Sequence, residues 1–86
     1  MFIQTEATPN PATLKFLPGR TVMPDGTLEL RDAEQAERSP LAQRLFGVSG
    51  VSGVFLGADF ITVTKAGGEW PHLKPAILGA IMEHFM

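Results

Sequence analysis

The chain has 86 residues, 44% of them hydrophobic, with nine glycines, seven prolines and no cysteine, which fits one small domain with a single core and several tight turns and excludes a disordered tail. Seven basic and nine acidic residues give a formal charge of −2, and Lys15, Arg20, Arg31, Arg38, Arg44, Lys65 and Lys74 stand singly, so the clustered basic stripe that binds nucleic acid or an anionic membrane is missing. Without cysteine these residues form no disulfide, offer no thiolate nucleophile and supply no sulfur ligand to zinc or to an iron–sulfur cluster.

From Phe2 to Ala7 the side chains alternate in character, Phe2, Gln4 and Glu6 on one side and Ile3, Thr5 and Ala7 on the other, which predicts a half-buried strand. Thr8-Pro9-Asn10-Pro11-Ala12 is a turn, because each proline lacks an amide donor and pushes the preceding residue out of the α region. Thr13 to Leu17 resumes as a strand with Leu14 and Phe16 on one face until Pro18-Gly19 stops it, so an antiparallel hairpin is expected. Met23-Pro24-Asp25-Gly26 is a further turn, and Thr27 to Arg31 alternates as a short strand. Asp32 and Gln35 have the spacing of a capping box, which predicts a helical turn over Ala33 to Arg38. That turn is nearly all polar, so packing is expected to stabilise it little.

Ser39-Pro40 opens the first full helix: serine accepts from orphan amides, and proline at the first helical position gives up no bond. Leu41 with Leu45, and Ala42 with Phe46, make its apolar stripe, and Gly47 is expected to be a left-handed stop. Val51 to Leu56 and Phe60 to Lys65 read as a hairpin around Gly57-Ala58-Asp59. Leu56 opposite Ile61 and Val54 opposite Val63 form one face, and Phe55, Phe60, Thr62 and Thr64 fall on the other. Trp70, Leu73, Ile77, Ala80, Ile81 and Phe85 recur at helical spacing. Because Pro75 fits only a first turn, the regular helix is expected to begin near Leu73. The order strand–strand–(strand)–helix–strand–strand–helix implies a two-layer α+β domain, a mainly antiparallel sheet with two helices on one face.

Motifs for chemistry are sparse. His72 and His84 on one helix would stand about 18 Å apart at ~1.5 Å per residue, too far to share a metal ion. Asp32, Glu34 and Glu37 lie in a polar run that reads as a solvated face. Ser49 and Ser52 lack the flanking glycines of a nucleophile elbow, and Gly47, Gly50 and Gly53 lack the spacing of a phosphate-binding or dinucleotide loop. Asp59 with His72 or His84 is the remaining acid–base pairing, of a kind that arises by chance in most chains. No catalytic or metal-ligating residue is therefore expected, and the chain is not expected to be an enzyme. The candidate partner-binding residues are Phe55, Phe60 and Asp59, on and beside the sheet face turned away from the helices, since exposed apolar patches often mark interaction surfaces. In the competing reading Phe60 covers Gly57 across the strands and Phe55 packs under a loop. Trp70 reads as a lid on the core.

The stretch Phe2-Ile3-Gln4-Thr5-Glu6-Ala7-Thr8-Pro9-Asn10-Pro11-Ala12-Thr13-Leu14-Lys15-Phe16 resembles the opening of the N-terminal domain of Nfu/NifU-like iron–sulfur cluster scaffold proteins. So do Ser39-Pro40-Leu41-Ala42, Leu45-Phe46, Gly50-Val51, Val54-Phe55, Asp59-Phe60-Ile61-Thr62-Val63, and Trp70 with Lys74-Pro75 and Ile77, in the expected order over essentially the whole chain. The resemblance implies that residues 1–86 are a single such domain, cut from a longer protein whose separate C-terminal domain holds the cluster through Cys-x-x-Cys. No ligand carries over to this cysteine-free chain, which would bind no cluster itself. The implied role is that of a non-catalytic accessory domain in cluster assembly and delivery. Its partners would be its own cluster-binding domain, apo client proteins and the assembly machinery, with no nucleic acid and no membrane. The alternative is a free-standing interaction or oligomerisation module unrelated to iron–sulfur chemistry.

The N-terminus has no basic region followed by a long apolar one, and the longest apolar stretch, near Ala76 to Met82, falls short of the ~20 residues of a membrane span. The absence of disulfides leans towards a cytoplasm, and the resemblance implies a bacterial one, because eukaryotic members of that family commonly carry a targeting extension and none is seen here.

Overall fold

Asn10 organises the first turn. Its side-chain Oδ1 accepts from the Ala12 amide at 2.9 Å, its carbonyl accepts from the Thr13 amide at 3.0 Å, and the single Thr8 hydroxyl proton is shared between the Asn10 and Thr13 carbonyls, 2.8 and 2.9 Å from Oγ1. This turn joins β1 (Gln4–Ala7) to β2 (Thr13–Leu17), antiparallel with Gln4 opposite Leu17. The computed structural model describes residues 2–86. The first strand is shorter than expected and leaves Phe2 78% exposed. The ladder stops at Gln4 because the next partner beyond Leu17 is Pro18, which has no N–H to give.

The sheet is completed by β3 (Leu28–Leu30), β4 (Val51–Leu56) and β5 (Ile61–Lys65), in the order β1-β2-β5-β4-β3, with every pairing antiparallel. The central hairpin has the expected register, Val54 opposite Val63 and Leu56 opposite Ile61. A bulge between Val51 and Gly53 takes up Ser52, whose hydroxyl donates to the Thr64 carbonyl at 3.2 Å.

A 3-10 turn (Gln35–Arg38) leads into α1 (Pro40–Phe46), and α2 (Trp70–Phe85) closes the chain. Asp32 Oδ1 accepts from the Gln35 amide at 3.0 Å, but Gln35 Oε1 reaches back to the Arg31 amide and not to that of Asp32, so the capping box is offset by one residue. Packing does contribute to this turn: Ala36 is 1% exposed, in a small cluster with Leu30 and Ala42. Ser39 Oγ caps α1 by accepting from the Ala42 amide at 3.2 Å. Gly47 is not the left-handed stop; it stays right-handed at φ −69°. The left-handed residue is Gly50, at φ +99°, where a Cβ would come within 3.1 Å of the Gly67 carbonyl and 3.3 Å of Leu73.

The second helix begins at Trp70, earlier than expected. The amides of His72 and Leu73 both donate to the Glu69 carbonyl, so the first turn closes ahead of Pro75. The bond that Pro75 cannot make is to the carbonyl of Pro71, and both prolines lie on the exposed side, where water can take that oxygen.

Both helices cover one face of the sheet. Phe16, Val54, Leu56, Ile61 and Val63 from the strands meet Leu41 and Leu45 of α1 and Leu73, Ile77 and Ile81 of α2. Each such aliphatic side chain contributes roughly 1.5–3 kcal/mol by leaving water. Among the described residues no polar side chain is fully buried, so the polar groups described lie at or near the surface.

Candidate functional site

Strand side chains alternate, so burying Leu14 and Phe16 under the helices turns Lys15 to the opposite face. Register partners across the sheet then make one outer row: Glu6, Lys15, Thr62, Phe55 and Glu29. Phe60, just before β5, joins this row. Its ring centroid lies 5.9 Å from that of Phe55 with 20° between the planes, and Lys15 Nζ sits 4.7 Å from the Phe60 centroid. Such a cation over an aromatic face contributes about 0.5–1 kcal/mol at an exposed site. Lys15 Nζ also lies 3.8 Å from Glu6 Oε1, and Glu29 holds Arg31 at 2.7 Å, exposed pairs that add little stability.

The hairpin tip is fixed from below. A side chain at Gly57 would overlap the Phe60 ring, which lies directly over that glycine, and the Gly57 amide donates to the Phe60 carbonyl at 2.9 Å. The Ala58 carbonyl accepts from both Val22 and Met23 amides, tying the tip to the segment that crosses from β2 to β3. Asp59 is exposed at the apex. Phe60 thus covers Gly57, as the competing reading had it, while Phe55 stacks on Phe60 and does not tuck beneath a loop. Both rings are half-buried. Phe55, Phe60 and Asp59 lie close together along one hairpin; Lys15, Glu6 and Glu29 complete the surface. The sequence signal for Lys15 was its place between Phe16, a core residue, and Leu14, which packs against that core.

His72 and His84 stand at opposite ends of α2, and neither makes a hydrogen bond or ion pair with Asp59 among the described residues. Among those residues no three metal-ligating side chains gather. Burial, and then the Arg44 guanidinium, hold the His84 pKa below the ordinary 6.5. Arg44 pairs with Glu83 at 3.2 Å across a groove of about 420 Å³ between α1 and α2. Trp70 is a half-buried lid, its Nε1 donating to the Pro11 carbonyl at 3.0 Å.

Residues 3–86 match the family model described as "Scaffold protein Nfu/NifU N terminal". The chain belongs to that family. It is 53% identical over 87 aligned residues to the NFU1 iron-sulfur cluster scaffold homolog, mitochondrial, of Drosophila sechellia, covering 99% of this chain and 31% of that protein. Its identity to the Homo sapiens protein of the same name is 52%, covering 99% of this chain and 34% of that one. The solution structure of a NifU-like protein from Saccharomyces cerevisiae superimposes with a TM-score of 0.83 at 27% identity, over 98% of this chain and 77% of that one. The chain therefore spans about a third of the length of the curated relatives. These relatives are named as mitochondrial proteins, which overturns the expectation of a cytoplasmic setting and gives no support to a bacterial one. That expectation rested on the absence of disulfides and of a leader, and a segment covering a third of its relatives says nothing about leaders.

Proposed function

We propose that this Nfu/NifU N-terminal domain is a non-catalytic accessory domain of an iron–sulfur cluster scaffold. It would act in cluster assembly and delivery by docking onto the cluster-bearing domain or onto apo client proteins. The observation that carries this reading is the family match over residues 3–86 in a sequence without one cysteine. The residues do not fit a cluster: there is no thiolate, and the two histidines are separated by about 18 Å of helix. The cluster is therefore cargo held elsewhere, and contact is what this domain contributes. The outer sheet face supports that role, because its aromatic pair sits on a stiff five-stranded platform with charged groups at its border.

The test uses the 86-residue chain with a separate Cys-x-x-Cys domain of the same family. Iron and sulfide reconstitution should leave this chain colourless and turn the cysteine-bearing domain brown; a stable brown centre on this chain refutes the reading. Chemical-shift mapping of the mixture should move Phe55, Phe60 and Asp59. Shifts confined to α1 and α2 would remove the outer face from the proposal.

A further inference from the structure

The turn before β3 carries chemistry that the scaffold role does not use. A β-aspartyl succinimide forms when the backbone nitrogen following an aspartate attacks that residue's side-chain carbonyl carbon. Three conditions favour it: an amide free of hydrogen bonds, no side chain crowding the nitrogen, and a carboxyl not held elsewhere. Asp25-Gly26 meets all three. Both residues are exposed in a bend, Gly26 sits at φ +72° with nothing within 4 Å of where a Cβ would be, and among the described residues its amide and the Asp25 carboxyl have no hydrogen-bond partner.

The other candidates fail on named atoms. Asp32 is engaged, its Oδ1 accepting from the Gln35 amide at 3.0 Å. Asp59 is followed by Phe60, whose ring is anchored over Gly57 and stacked on Phe55. Asn10 is followed by Pro11, which has no N–H to lose, and its Oδ1 accepts from the Ala12 amide.

We propose that Asp25 is a spontaneous modification site, converting to isoaspartate in the folded protein. The Gly26 nitrogen bonds to the Asp25 Cγ, the Cγ–OH bond breaks, and the hydroxyl leaves as water with the amide proton. One water then opens the ring. Cleavage between the Gly26 nitrogen and the Asp25 backbone carbonyl carbon routes the chain through Cγ and frees the α-carboxylate; cleavage at Cγ restores aspartate. The net change is isomerisation, with one water lost and one regained. The product inserts a methylene into the backbone just ahead of β3, the edge strand that places Glu29 beside Phe55. It is also the substrate class of the carboxyl methyltransferases that recognise isoaspartyl residues.

The experiment ages the 86-residue chain at neutral pH and 37 °C, then assays methyl-accepting capacity with an isoaspartyl methyltransferase and maps the site by peptide separation. The expected result is a signal that grows with time and lies in the peptide containing Asp25, with Asp32 and Asp59 unchanged. Asp25→Glu, which would require a six-membered ring, should lose the signal while keeping the wild-type thermal midpoint. A chain aged in denaturant shows whether the fold protects the turn: isoaspartate at Asp25 only when unfolded overturns the proposal, as does equal accumulation at all three aspartates in the folded chain.

Discussion

The Phe60 ring fills the space that a side chain on Gly57 would take. Gly57→Ala must therefore push the ring aside, breaking its stack on Phe55 and its contact with Lys15. The expected loss is about 1–3 kcal/mol by overpacking, read by urea denaturation. Phe60→Ala removes the clash, so the double variant should lose clearly less than the sum of the two single changes, with a coupling of roughly 0.5–3 kcal/mol. Strict additivity would mean that the two residues do not meet.

Trp70 links the start of α2 to the β1–β2 turn through its bond to the Pro11 carbonyl. Trp70→Phe keeps an aromatic lid but deletes the N–H donor together with part of the ring surface packed on the core. The expected loss is about 0.5–1.5 kcal/mol, and the Ala12 and Thr13 amides beside the turn should shift in the nitrogen–proton spectrum.

Ser39→Ala deletes the side-chain cap of α1 and should lower stability by about 1 kcal/mol. At this chain length that is a fall in thermal midpoint of roughly 4–8 °C. Ser39→Asp should retain most of the midpoint, because the carboxylate accepts the same amide.

Ile77 is 0% exposed at the centre of the α2 contact with the sheet. Ile77→Val should lose about 0.5–1.5 kcal/mol and Ile77→Ala about 2–5 kcal/mol, the latter a large part of the total for a domain this small. Circular dichroism melting curves distinguish the two.

Burial, followed by Arg44, holds folded His84 below its ordinary pKa of 6.5. In the window between the folded value and 6.5 the unfolded chain binds more protons, so stability is full above that window and falls as the pH drops through it. The wild type should lose more thermal midpoint than His84→Gln between about pH 7.5 and pH 5.5. Imidazole proton shifts should report a midpoint below 6.5 that rises in Arg44→Gln.

Much of the fold was legible because strand period and turn chemistry act locally. Val54 opposite Val63 and the Ser39 cap follow from alternation and from one hydroxyl before a proline. What escaped depended on neighbours distant in sequence. Gly47 stays right-handed with its amide still bonded to the Gln43 carbonyl, while the positive φ falls at Gly50, against Gly67 and Leu73, and the early start of α2 depends on Glu69 accepting from two amides at once. At the candidate surface, Phe55 and Phe60 could be placed on one face from the hairpin alone. Lys15 could not be placed over Phe60, because β2 meets β5 only through a pairing of residues some fifty positions apart, Thr13 with Thr64.

That same pairing sets a schedule for synthesis. The β1–β2 hairpin lies at one side of the sheet and touches the remaining strands only through β5, and an isolated two-stranded hairpin is marginal in water. On the ribosome this hairpin must wait without its β5 neighbour until the chain past Lys65 has left the exit tunnel. Phe16, wholly buried at the end, is for that interval an apolar side chain in open solvent, and a nascent-chain chaperone has its opportunity there.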